Sequence, residues 1–119
     1  VRVLVCDDEP DIRLLFRSAF AAAGAEVATA DDGQRALEVA ASWLPDLVVL
    51  DLQMPRRSGQ SALPEFAAVC PRAVVLIVSA HLRADQLSRM LDLGAKECFE
   101  KLDFLNRIPR LVHQYGAAA

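Results

Sequence analysis

Short apolar runs and amphipathic stretches alternate along the whole chain. Residues 1–6 form a β-branched run, and Glu26–Ala30 gives a second, weaker strand pattern. Residues 46–50 and 73–78 are apolar almost throughout, as strands covered on both faces must be. Glu97–Glu100 reads as a fifth strand. Between these runs the period changes. Ile12, Leu15, Phe16, Ala19 and Ala23 recur at helical spacing, with Pro10 suited to the first turn and Gly24 placed as a stop. Asp31 or Asp32 can cap a helix carrying Ala36, Leu37, Ala40 and Ala41 on one face. Residues 54–59 are loop-like, and a helix is predicted over 60–68, with Pro64 in its first turns. Residues 83–93 predict a helix with Leu87, Met90 and Leu91 inward and Gly94 as its stop. Pro109 would kink a helix that held it deep inside, so the last helix is expected over 107–114. Five β-α units predict an α/β domain: a five-stranded parallel sheet with helices on both faces and right-handed crossovers.

The length of 119 residues suits one domain over 1–119, without linker, repeat or low-complexity segment. A hydrophobic content of 54% supplies a core and excludes a disordered chain. The net charge of −3 argues against a nucleic-acid surface, which is normally basic. Arg56-Arg57 and the Arg107/Arg110 pair read as solvated charges. No apolar run approaches the roughly 20 residues of a membrane span. Cys6, Cys70 and Cys98 show neither zinc spacing nor a C-x-x-C motif. Cys6 and Cys98 lie in apolar strands and read as buried thiols, which fits a reducing cytoplasm. There is no signal-peptide pattern. The chain starts at Val1 without Met and ends Gly116-Ala117-Ala118-Ala119, which leaves a missing downstream domain open.

The chemistry gathers at strand ends. Asp7 and Asp8 follow the first strand, Asp51 ends the third, Ser79 the fourth and Lys101 the fifth. Taken singly, each has a plain reading. Asp7-Asp8-Glu9 suits a helix N-terminus, Asp51 a turn, Ser79 a loop hydroxyl and Lys101 a solvated charge. Together they fall on the carboxyl edge of a parallel sheet, where ligands bind. Three carboxylates there repel by roughly 1 to 4 kcal/mol per close pair at intermediate dielectric. That arrangement asks for a cation, and oxygen ligands favour Mg²⁺, Ca²⁺ or Mn²⁺.

The ordered set resembles the receiver domain of bacterial response regulators, the CheY-like family. The matching pieces are Val3-Leu4-Val5-Cys6-Asp7-Asp8-Glu9, then Leu47-Val48-Val49-Leu50-Asp51-Leu52-Gln53-Met54-Pro55 through Gly59. Val75-Leu76-Ile77-Val78-Ser79-Ala80, then Gly94-Ala95 and Lys101, complete it. The resemblance implies a doubly wound, flavodoxin-like (βα)5 fold with strand order 2-1-3-4-5. It implies that Asp51 is the phosphoacceptor. Asp8, Asp51 and the Gln53 backbone carbonyl would hold Mg²⁺, with Asp7 acting through water. Ser79 and Lys101 would bind the phosphoryl oxygens. Gln53 and His81 stand at positions that tune the lifetime of the phosphorylated state. The implied partners are a sensor histidine kinase or histidine phosphotransfer protein, with a downstream protein target or a missing output domain. Nucleic acid and membrane are not among the expected direct partners, and a weak homodimer stays open.

Two positions depart from the family pattern. Leu102 stands where Pro usually follows the lysine, so a trans bond is expected there. Cys98 stands where an aromatic switch residue is usual, with Phe99 expected on the opposite strand face.

The leading expectation is a regulatory domain, not an enzyme acting on an external substrate, that assists its own phosphotransfer and autodephosphorylation. The alternative is a receiver-like interaction module that works without phosphorylation. A Mg²⁺-dependent phosphohydrolase ranks last, because Gln53 interrupts the Asp-x-Asp motif and 119 residues leave no room for a cap domain.

Overall fold

The computed structural model describes residues 1–116; the last three positions of the expected 1–119 unit lie outside the described residues. Five strands and five helices alternate: β1 (Arg2–Cys6), α1 (Pro10–Ala22), β2 (Glu26–Ala30), α2 (Gly33–Trp43), β3 (Leu47–Asp51), α3 (Gly59–Val69), β4 (Val74–Ser79), α4 (Ala84–Asp92), β5 (Glu97–Glu100) and α5 (Lys101–Gly116). The strands form one parallel sheet in the order β2-β1-β3-β4-β5, as the resemblance implied.

The period of two along the central strands sorts the core into two layers. Leu4, Cys6, Val48, Leu50 and Ile77 point to one face, against Ala36 and Ala40 of α2, Phe66 of α3 and Met90 of α4. Val3, Val5, Val49, Leu76 and Val78 point to the other, against Phe16 and Phe20 of α1 and Phe104 and Ile108 of α5. Four aromatic rings knit that second layer. Phe104 lies 5.1 Å from Phe16, 5.4 Å from Phe99 and 6.1 Å from Phe20, centroid to centroid.

Several expectations need correction. The last helix starts at Lys101, not near Arg107, and Pro109 sits inside it. Its buried positions Phe104, Ile108, Leu111 and Val112 follow helical spacing, and burying them outweighs one lost hydrogen bond. Pro109 lies on the exposed side, where the freed carbonyl one turn earlier can meet water. Pro64 repeats this arrangement in α3. On α1, Phe20 is buried and Leu15 is 45% exposed, because the sheet covers a stripe centred on Phe16 and Phe20. On α4 only Met90 is buried, leaving Leu87 and Leu91 exposed. Ala41 is also exposed. Asp32, not Asp31, caps α2. No peptide bond among the described residues is cis, so Lys101–Leu102 is trans as expected. No described helix is long and apolar enough to cross a membrane.

Candidate functional site

Sheet register brings the chemistry together. Cys6 pairs with Leu50, so the next residues, Asp7 and Asp51, come level at the carboxyl edge. Val78 pairs with Asp51 and Ser79 with Glu100, which sets Ser79 and Lys101 just beyond the same line. A cleft of about 260 Å³ opens there, lined by Asp8, Glu9, Asp51, Gln53, Ser79, Ala80, His81 and Lys101.

Asp7 and Asp51 are buried and Asp8 is exposed. One oxygen of each lies within 4.8 Å of the others. Lys101 Nζ answers that charge. It lies 2.9 Å from Asp7, 3.3 Å from Asp51 and 3.3 Å from Glu9. Asp7 is fixed on its other oxygen, which accepts the Glu9 amide at 2.9 Å. The Gln53 amide reaches Asp51 Oδ1 at 3.4 Å. Burial, then the Asp7 carboxylate, push the Asp51 carboxyl up to about 6, against the pull of Lys101. For Lys101, burial alone would pull downward. The Asp7 hydrogen bond and the Asp51 and Asp7 charges outweigh it and hold the ammonium above its ordinary value.

Ser79 is buried in the cleft wall, and its hydroxyl is turned to its own loop. It donates to the His81 carbonyl at 3.1 Å and accepts from the His81 amide at 3.4 Å. The His81 residue is exposed at the mouth. Cys98 is half-buried, not fully buried, and lies off this cleft. It borders a neighbouring groove with Leu82, Glu100 and Arg107, while Phe99 packs into the opposite core layer as expected.

Gly59 explains how α3 can start so close to Asp51. Its amide donates to the Leu52 carbonyl at 3.0 Å, and a Cβ there would overlap the Asp51 carbonyl. Two contacts were not legible as site features in the sequence. Glu9, beside the acidic pair, is a third carboxylate partner of Lys101. Arg13, one turn into α1, donates to the Asp7 carbonyl at 2.8 Å and so holds the end of β1. Adjacency to Asp7-Asp8 was the one available signal for Glu9; for Arg13 there was none.

The donor set suits a hard cation. Three carboxylates that converge at one sheet edge, beside a cleft that Gln53 also lines, match the all-oxygen preference of Mg²⁺.

Residues 3–112 match the response regulator receiver domain family, and the chain belongs to it. It is 34% identical over 110 residues to the regulatory protein AtoC of Escherichia coli, covering 90% of this chain and 24% of that protein. It is 33% identical to the transcriptional regulatory protein PrrA of Mycobacterium leprae, covering 99% of this chain and 52% of that protein. The chain thus spans from a quarter to about half the length of these curated relatives. Among solved structures, it resembles the receiver domain of the Francisella response regulator 1452, with TM-score 0.88, 26% identity and coverage of 99% and 98% of the two chains. It also resembles the response regulator domain of Thermotoga maritima CheB, with TM-score 0.82, 27% identity and coverage of 99% and 95%. Receiver domains are regulatory parts of two-component systems. They bind Mg²⁺ at an acidic pocket and interact with histidine kinases or phosphotransfer proteins and with output domains.

Proposed function

We propose that the chain is a phosphoacceptor switch whose acceptor is Asp51. The observation that carries this reading is the convergence of the Asp7, Asp8 and Asp51 carboxylates at one sheet edge, where the Lys101 ammonium meets Asp7 and Asp51 beside a cleft that also holds the buried Ser79. Asp51 attacks phosphorus through one carboxylate oxygen. The bond from phosphorus to the donor breaks, its electron pair leaves with the donor, and an acyl phosphate remains on Asp51. Lys101, already within reach of Asp51, takes part of the charge that spreads over the phosphoryl oxygens. Ser79 supplies a hydroxyl that can leave the His81 backbone for a phosphoryl oxygen. Asp8, Asp51 and the Gln53 carbonyl would hold Mg²⁺, with Asp7 acting through water. The ion's contribution is to neutralise carboxylate charge that would repel the incoming phosphoryl group.

Gln53 and His81 flank the cleft mouth and set how long the acyl phosphate survives against water. Cys98 has no ring to move when Ser79 moves. The switch therefore runs through the 80–84 loop and α4, whose Leu82 and Met90 pack on the same core layer as Cys98. The donor is a sensor histidine kinase or a histidine phosphotransfer protein.

The test is transfer from a panel of phosphohistidine donors to wild type and Asp51→Asn. Label on wild type and none on Asp51→Asn supports the reading. No transfer from any donor, together with a partner captured equally by wild type and Asp51→Asn, would favour an interaction module that works without phosphorylation.

A further inference from the structure

Asp32 and Arg56 lie outside the cleft, and none of the roles above uses them. Arg56 has φ +62°, a left-handed conformation that a side-chain-bearing residue rarely adopts. The Arg57 amide donates to the Pro55 carbonyl at 2.6 Å, which makes Arg56 the centre of a classic γ-turn, the rare and strained form. The Arg56 side chain is 64% exposed, so packing does not hold the turn.

Asp32 holds it. Its Oδ2 accepts from Arg56 Nε at 2.7 Å and lies 2.6 Å from a terminal guanidinium nitrogen. Its Oδ1 accepts from the Arg35 amide at 2.8 Å and so caps α2. The next residue adds a second grip: the Gly33 amide donates to the Arg57 carbonyl at 2.9 Å. A Cβ on Gly33 would come within 2.6 Å of that same carbonyl, so only glycine allows the two loops to meet this way.

The gripped segment joins Asp51 to α3. Its near end is tied by the Gly59 amide on the Leu52 carbonyl, and its Gln53 lines the cleft with its amide on Asp51. The peptide units between these ties have little freedom left. We propose that Asp32 and Arg56 are a positioning pair that holds the strained turn at 55–57 and thereby keeps the Gln53 main chain aimed at the Asp51 cleft. The pair works through backbone geometry and not through the guanidinium charge. This inference rests on the Mg²⁺-dependent reading of the cleft.

Glycine separates geometry from charge, because it adopts positive φ without strain and needs no clamp. The experiment is a Mg²⁺ titration followed by NMR at the amides of Asp8, Asp51 and Gln53, with thermal melts in parallel. Arg56→Ala should weaken Mg²⁺ about tenfold, the usual scale for losing an outer support of a metal site. Arg56→Gly should bind as wild type does. Asp32→Asn, which keeps an oxygen for the cap, should weaken Mg²⁺ in the wild-type background and have no effect on top of Arg56→Gly. This second comparison stands even if Arg56→Ala does not fold. Equal weakening by Ala and Gly would overturn the proposal, as would wild-type affinity in Arg56→Ala or Asp32→Asn. Absence of any Mg²⁺ response in the wild type would overturn the reading of the cleft as well.

Discussion

Lys101→Ala removes the ammonium shared by three carboxylates. The lysine side chain is 12% exposed, and Asp7 and Asp51 beneath it are 3% and 6% exposed. Each contact near 3 Å corresponds to about 5 kcal/mol of attraction at an effective dielectric of about 20, most of it offset by desolvation. What remains on deletion is a pair of buried carboxylates without their cation. Removing one partner from a buried pair costs about 3–5 kcal/mol. Against a domain stability of about 5–15 kcal/mol, the variant stays folded. Its midpoint in a thermal melt should fall by roughly 10–20 °C. Mg²⁺ should restore a larger share of stability in the variant than it adds to wild type, because the wild-type carboxylates already have a cation. Phosphotransfer should drop while Mg²⁺ binding is retained. The assay is urea unfolding of both proteins with and without Mg²⁺. A loss below about 1 kcal/mol, the range of exposed surface pairs, would show that Lys101 is not holding a buried charge cluster. So would a larger Mg²⁺ gain in wild type.

Three further substitutions test the fold, two beside the site and one, Leu44, at the opposite edge of the sheet. Gly59→Ala forces a Cβ onto the Asp51 carbonyl and should cost about 1–3 kcal/mol in urea unfolding, with slower phosphotransfer; unchanged values would show that α3 can retreat freely. Leu44 holds φ 54° at the end of α2 and is 58% exposed, so Leu44→Gly should raise the unfolding free energy in urea by about 0.5–1 kcal/mol; a lower free energy would mean its packing outweighs the strain. The Arg35 amide, with Arg56 beside it, holds the Asp32 carboxyl below the usual carboxylate range. Its folded value is thus lower than its unfolded value of about 3.9, so its stabilisation is complete above that unfolded value and is lost as pH falls through the folded one. The gap between wild type and Asp32→Asn in urea unfolding should be flat near neutrality and shrink in acid; a gap that widens in acid would reverse the sign.

The sheet was legible because its signal is local. The apolar runs of β1, β3 and β4, with breakers between them, have few other readings, and the carboxylates at the ends of β1 and β3 mark the edge. The start of α5 is hard to read in the sequence because Pro109 argues against the helix that the spacing of Phe104, Ile108, Leu111 and Val112 supports. Whether a proline breaks a helix depends on which side faces water, and that is a tertiary fact. Arg56-Arg57 read as solvated charge, yet Arg56 pairs with Asp32 and Arg57 with Glu65 and Ser61. A partner 24 positions away leaves no periodic trace, and the positive φ of Arg56 leaves none either, since arginine is not the residue that signals it. The apolar neighbours of Cys98 predict a buried thiol, but β5 is an edge strand and leaves it half open.

The measurement closest to the central claim is the intact mass of wild type and Asp51→Asn after incubation with a small acyl phosphate, with Mg²⁺ or with a chelator. Wild type should gain one phosphoryl group with Mg²⁺ and none with the chelator, and Asp51→Asn should gain none under either condition. A phosphoryl group on Asp51→Asn, or one on wild type that forms equally well without Mg²⁺, would contradict that claim.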